Sequence, residues 1–152
     1  MNYVPRRILL LLWLALLFAS GGCAVKWIAD YDKEVDDRIV AIYEKTSRFF
    51  DNLAEKPPAV RTYASFTAIY SDIATNLRVL LLNQRARPGN ADAEKQTELL
   101  IETWTRMRER HKRYSEVPEH RSNPFPDSLI LLDREQFDAL FTAAMLAERA
   151  RK

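Results

Sequence analysis

The residues able to do chemistry in this chain are few and poorly placed for it. There are two histidines and one cysteine. His111 falls among apolar residues at helical spacing, and no His, Cys, Asp or Glu stands three or four residues away on its side. His120 lies in a proline-marked stretch beside Glu116 and Glu119. Di-iron bundles need a Glu-x-x-His pair on a helix, but Arg108 precedes His111 by three positions and Val117 precedes His120. Neither histidine has the convergent donors a metal requires, so no metal or cofactor is expected. The acids Asp30, Asp32, Asp36 and Asp37 fall mostly outside the apolar stripe of their segment, and solvated carboxylates lack the environment acid–base catalysis needs. Only three glycines are present, Gly21, Gly22 and Gly89. Phosphate loops, dinucleotide turns and nucleophile elbows need glycine where backbone meets ligand or takes positive φ. Enzymatic function is not expected; the alternative is an unrecognised hydrolase.

Two other groupings invite a binding role. Tyr31, Phe49, Phe50, Tyr63, Phe66, Tyr70, Trp104, Phe137 and Phe141 would either pack as a core or line a cavity for an apolar small molecule or lipid. Buried tyrosine hydroxyls need partners or water in both cases. The densest charge runs from Arg106 to Arg113. Helical geometry puts Arg106, Arg110 and Arg113 on one flank, with Arg108 and Lys112 across the apolar stripe. This is either a partner-binding patch for an acidic surface or a solvated helix end, where cations suit the carboxyl terminus and Glu102–Arg106 and Glu109–Arg113 are i,i+4 pairs.

These groups must be positioned by helices, because apolar residues recur at steps of three and four throughout. The first stripe runs Ile28, Tyr31, Val35, Ile39, Ile42, Thr46, Phe49, Leu53, predicting a helix over 26–55 that Pro57 and Pro58 end. The second, through Tyr63, Phe66, Tyr70, Ile73, Leu77, Leu80 and Gln84, predicts 59–87, closed by Pro88-Gly89. The third, through Ala93, Leu100, Trp104, Met107, His111 and Tyr114, predicts 91–115, with Asn90 or Asp92 as its cap. A proline-rich loop follows. Leu129–Leu132 is an apolar plug that periodicity does not assign. Asp133 and Gln136 resemble a capping box opening a last helix over 133–151. No segment reads as a strand with a hairpin turn. The expected fold is all-α, an antiparallel up-and-down bundle of four helices forming a single domain over 23–152.

The amino terminus reads as an address. Arg6-Arg7, the apolar run Ile8–Ala19 and the small residues Ser20-Gly21-Gly22 are the three parts of a secretory signal. The run is shorter than the ~20 apolar residues a bilayer core takes. Ser20-Gly21-Gly22-Cys23 resembles the lipobox of bacterial lipoproteins. The resemblance implies a signal peptide over 1–22, cleavage before Cys23 and lipid attachment to its thiol. Cys23 is also the only cysteine in the chain, so it has no disulfide partner within it. Ala24, where aspartate would mark inner-membrane retention, implies transfer to the outer membrane, facing the periplasm. Arg6 and Arg7 account for the formal net charge of +2, so the chain after the leader is neutral and gives no basis for a nucleic-acid partner. The expectation is a lipid-anchored envelope protein acting as a non-enzymatic adaptor for another envelope protein.

Overall fold

A computed structural model describes residues 29–152. Among these residues there are four long helices and no strand: α1 Lys33–Glu55, α2 Tyr63–Arg85, α3 Ala91–Glu116 and α4 Asp127–Arg149, with single 3-10 turns at Pro58–Val60 and Pro118–His120. Each helix packs on its neighbours in the chain, and α1 packs on α4 to close the ring. Consecutive helices run in opposite directions, giving the expected up-and-down bundle. The starts of α1 and α3 and the ends of α2 and α4 form one end, called here the near end because residue 29 enters there. The far end carries the connections 56–62 and 117–126. No helix among the described residues is long and apolar enough to cross a membrane.

The inward stripes of the first three helices follow the predicted spacing, except that Tyr63 and Tyr114 are only half-buried. α1 buries Val35, Ile39, Ile42, Thr46, Phe49 and Leu53, α2 buries Phe66, Tyr70, Ile73, Leu77, Leu80 and Gln84, and α3 buries Ala93, Leu100, Trp104, Met107 and His111. Each large side chain so buried contributes about 1.5–3 kcal/mol relative to exposure.

The helix starts differ in three places, the mildest at α2, which begins at Tyr63 rather than residue 59 because Pro58–Val60 form a separate 3-10 turn. α1 begins at Lys33 rather than residue 26, because the Asp32 carboxylate accepts from the Glu34 and Val35 amides at 2.9 and 3.3 Å and caps the helix there. The predicted residues 26–28 lie outside the described part. α4 begins at Asp127, six residues before the predicted start, and takes in the plug Leu129–Leu132, of which Ile130 is core. Pro126 sets that start, with φ already near the helical value and the residue before it turned away from helix. Asp133 therefore caps nothing. It sits within the helix, 2% exposed. Asn90 occupies the N-cap position of α3 but turns inward, its amide donating to the Gln84 carbonyl at 3.0 Å. Gly89, at φ 74°, supplies the left-handed turn between α2 and α3.

Candidate functional site

The interior aromatics pack on one another. Trp104 meets Phe49, Tyr70 and Phe137 at centroid distances of 5.2, 5.1 and 5.6 Å. Phe49 also meets Phe50 and Phe66 at 5.3 and 5.8 Å, mostly edge to face. Tyr31 does not join this cluster. It stands at the near end, its hydroxyl donating to Asp36 at 3.2 Å and the Lys152 ammonium 4.5 Å from its ring centre. There it borders a shallow recess of about 500 Å³ with Lys33, Arg87 and Pro88.

His111 is fully buried. Its Nε2 faces the Arg61 carbonyl at 2.7 Å and its Nδ1 the Tyr70 hydroxyl at 2.9 Å. A carbonyl only accepts, so Nε2 carries the proton and the Tyr70 hydroxyl donates to Nδ1. Burial pushes the imidazole below its ordinary value, and the Arg61 carbonyl only partly offsets that. Tyr70 is driven well above the usual phenol range, first by burial and then by the Asp133 charge. The neutral ring is thus a structural cross-tie between α2, α3 and the α1–α2 connection. Among the described residues, no three His, Cys, Asp or Glu side chains are grouped to hold a metal.

A depressed native value makes stability depend on pH with a definite sign. Below the ordinary histidine value of about 6.5 the unfolded chain binds the proton first. His111 therefore adds stability that is complete above that value and is lost as pH falls through its native one. Urea unfolding of the protein between pH 7.5 and 5 is expected to show a falling midpoint. His111→Asn, with a lower midpoint overall, should flatten that slope, and an unchanged slope would remove His111 as its source.

Arg61, 3% exposed, was not legible as special. Its guanidinium donates to the Lys56 and Ala54 carbonyls at 2.8 and 3.0 Å, to the Phe125 carbonyl at 3.3 Å, and to the Asp127 carboxylate. It ties the end of α1 to the start of α4. Asp36 also departs from expectation, being 6% exposed and paired with Arg149 at 3.0 Å instead of lying in solvent.

At the near end Glu148 is 1% exposed and accepts four hydrogen bonds from three groups. The Asp32 amide donates to it at 2.8 Å, the Arg87 guanidinium at 3.0 and 3.1 Å, and Arg151 at 3.3 Å. Arg87 also donates to the Asp30 carbonyl, and the Ala29 amide donates to the Gly89 carbonyl at 3.2 Å. The incoming chain is thereby clasped to the end of α4 and the α2–α3 turn.

The basic cluster divides as its spacing predicts, with two changes, at Glu109 and Arg110. Arg106, Arg110 and Arg113 line a recess of about 470 Å³ on α3 together with Thr105 and Glu109. Arg106 bonds Glu102 at 2.8 Å, while Glu109 turns to Arg108 at 2.8 Å instead of to Arg113. Arg108, in that bond, holds the Glu109 carboxyl below its usual range. Arg113 and Lys112 are exposed and form no ion pair among the described residues. Arg110 reaches inward to the buried Asp133. Burial raises the Asp133 carboxyl and Arg110 only partly restores it.

Cys23 and the leader lie outside the described residues. The class so defined is a closed four-helix bundle with its aromatics packed on one another, a clasped near end and a basic recess toward its far end. No family model, curated protein or solved structure matches the chain.

Proposed function

We propose that this protein is a lipid-tethered adaptor of the bacterial envelope, held through Cys23 and presenting the recess at Arg106, Arg110 and Arg113 to an acidic surface on another envelope protein. One observation carries the reading. The chain enters at the near end, whereas α3 starts there and carries Arg106 to Arg113 about 22–33 Å along its axis, at 1.5 Å per residue. A tether at the near end and a docking surface toward the far end belong to opposite ends of one rigid body, and this is what an adaptor needs. The rings packed on one another weigh against an apolar carrier, and the paired acids weigh against catalysis. Ala24 after the cysteine favours the outer membrane, facing the periplasm.

Two measurements test this. Metabolic labelling with a fatty acid should mark the full chain and not Cys23→Ser. Persistent label in that variant would overturn the tether. Arg106→Glu with Arg113→Glu should abolish crosslinking to an envelope partner at unchanged thermal stability, since both side chains are exposed. Arg110 is left alone because a glutamate there would face the buried Asp133. In the unaltered protein, added salt should weaken capture, as exposed charges act on encounter and are screened. Normal crosslinking by the double variant would reduce the recess to a solvated helix end.

A further inference from the structure

The outward face of α4 differs from the other outward faces. Leu132, Gln136, Ala139, Ala143, Leu146 and, just past the helix end, Ala150 are all exposed, Leu132 at 56% and Leu146 at 63%. They step by four and three, carry no charge, and at 100° per residue point directly away from Phe141 in the core. The chain as a whole is 29% charged. Outward, α1 exposes Glu34, Asp37, Glu44 and Arg48, and α3 exposes Lys95, Glu98, Glu102 and Arg106. The corresponding stripe of α2 is interrupted by Ser71, Thr75 and Arg78. α4 thus has two apolar stripes, and the bundle uses one. An uncharged stripe alternating four and three is the pattern of a two-helix seam.

We infer that this seam pairs two copies of the chain, α4 against α4, in parallel. The stripe matches itself. Leu132, Ala139 and Leu146 are seven residues apart, so a two-fold axis along the helix sets leucine on leucine toward each end and alanine on alanine between, where the backbones approach. Gln136 falls at the alternate seam position and meets its own copy, where paired amides satisfy one another and fix the register. Self-pairing through this face opposes no like charges, which cost several kcal/mol at interfaces. Pairing through the outward face of α1 would oppose acids.

The direction follows from where the chain leaves the structure. Residues 1–28 continue from the near end, where α4 also finishes. Two copies held to one surface through that segment have parallel α4 helices. Orientation and strength rest on the tethered reading above. A seam from Leu132 to Ala150, ~27 Å long and ~10 Å wide, offers a footprint on the order of 270 Å², well short of the ~800 Å² per partner of stable complexes. Tethering two copies to one membrane supplies the missing association as effective concentration. Pairing is therefore strong on the membrane and weak in dilute solution.

Single cysteines in the full chain test this in isolated envelope membranes, using a short thiol crosslinker with the unaltered chain as control. Leu132→Cys alone and Leu146→Cys alone should each give dimer, at least ten-fold above control. Co-expressed, the two should give no 132–146 product. That mixed product alone would mean antiparallel pairing and overturn the inference, as would crosslinking of Leu146→Cys only to a different protein. Ala139→Glu should abolish the Leu146→Cys dimer without altering helicity or Tm. Persistence of the dimer would mark it as collisional and overturn the seam. Fatty-acid labelling of the same samples separates the two readings. Label without dimer removes the seam and keeps the tether, while dimer without label does the reverse.

Discussion

Replacing Arg110 with alanine is expected to cost about 3–5 kcal/mol of folding stability, and replacing Arg110 and Asp133 together by methionine and leucine is expected to cost almost nothing. The asymmetry comes from how this pair is buried. Asp133 is 2% exposed, and Arg110 is the cation that reaches it. Their satisfaction is incomplete, since Asp133 Oδ2 has no donor and Arg110 Nε no acceptor among the described residues. Desolvation falls mainly on Asp133, since the Arg110 side chain is 29% exposed, and it consumes much of the attraction; an apolar pair of similar volume avoids that cost. Removing the cation alone leaves a buried carboxylate uncompensated. Asp133 escapes by binding a proton, so the defect of Arg110→Ala should shrink from pH 7 to pH 4. Urea midpoints of the single and double variants read both effects. A double variant as unstable as Arg110→Ala would mean the pair is itself stabilising.

The second large effect is expected at Trp104. It is 1% exposed and touches rings from each of the other three helices, Phe49 of α1, Tyr70 of α2 and Phe137 of α4. Its indole N–H donates to the Tyr70 carbonyl at 3.1 Å. Trp104→Ala should cost about 3–5 kcal/mol, because lost burial and an unfilled hole add. Trp104→Phe keeps most ring contacts and should cost distinctly less. Chemical denaturation followed by circular dichroism measures both. A loss below ~1 kcal/mol for the alanine variant would mean the four helices close over the gap.

The helices were legible in the sequence wherever hydrophobicity alone marks the inward stripe. Val35 to Leu53, Phe66 to Leu80 and Leu100 to Met107 advance at helical steps and are buried in that order. What escaped was polar residues in core positions. Asp133 and Glu148 continue the inward stripe of α4 together with Ile130, Phe137, Phe141 and Ala144. Periodicity treats such residues as surface, so the stripe seemed to start late and Asp133 looked like a cap. Their partners are distant in sequence. Glu148 meets the Asp32 amide across 116 residues, and Arg61 meets the Phe125 carbonyl across 64. Composition does not encode such pairings. At the basic recess the shared flank of Arg106, Arg110 and Arg113 followed from helical geometry. The inward turn of Arg110 did not, because it depends on the buried acid opposite.

The clasp around Glu148 also determines how the bundle answers a pull. Force applied to the chain ahead of residue 29 does not peel α1 away from its first turn. It first meets the Ala29–Gly89, Arg87–Asp30 and Asp32–Glu148 bonds, which pass it to the α2–α3 turn and the last turn of α4. All three must yield before α1 can unzip, and this sets the mechanical threshold. Glu148→Gln would lower that threshold by weakening the one acceptor that several donors share, and single-molecule extension from the amino-terminal side would read the change as an earlier rupture of α1.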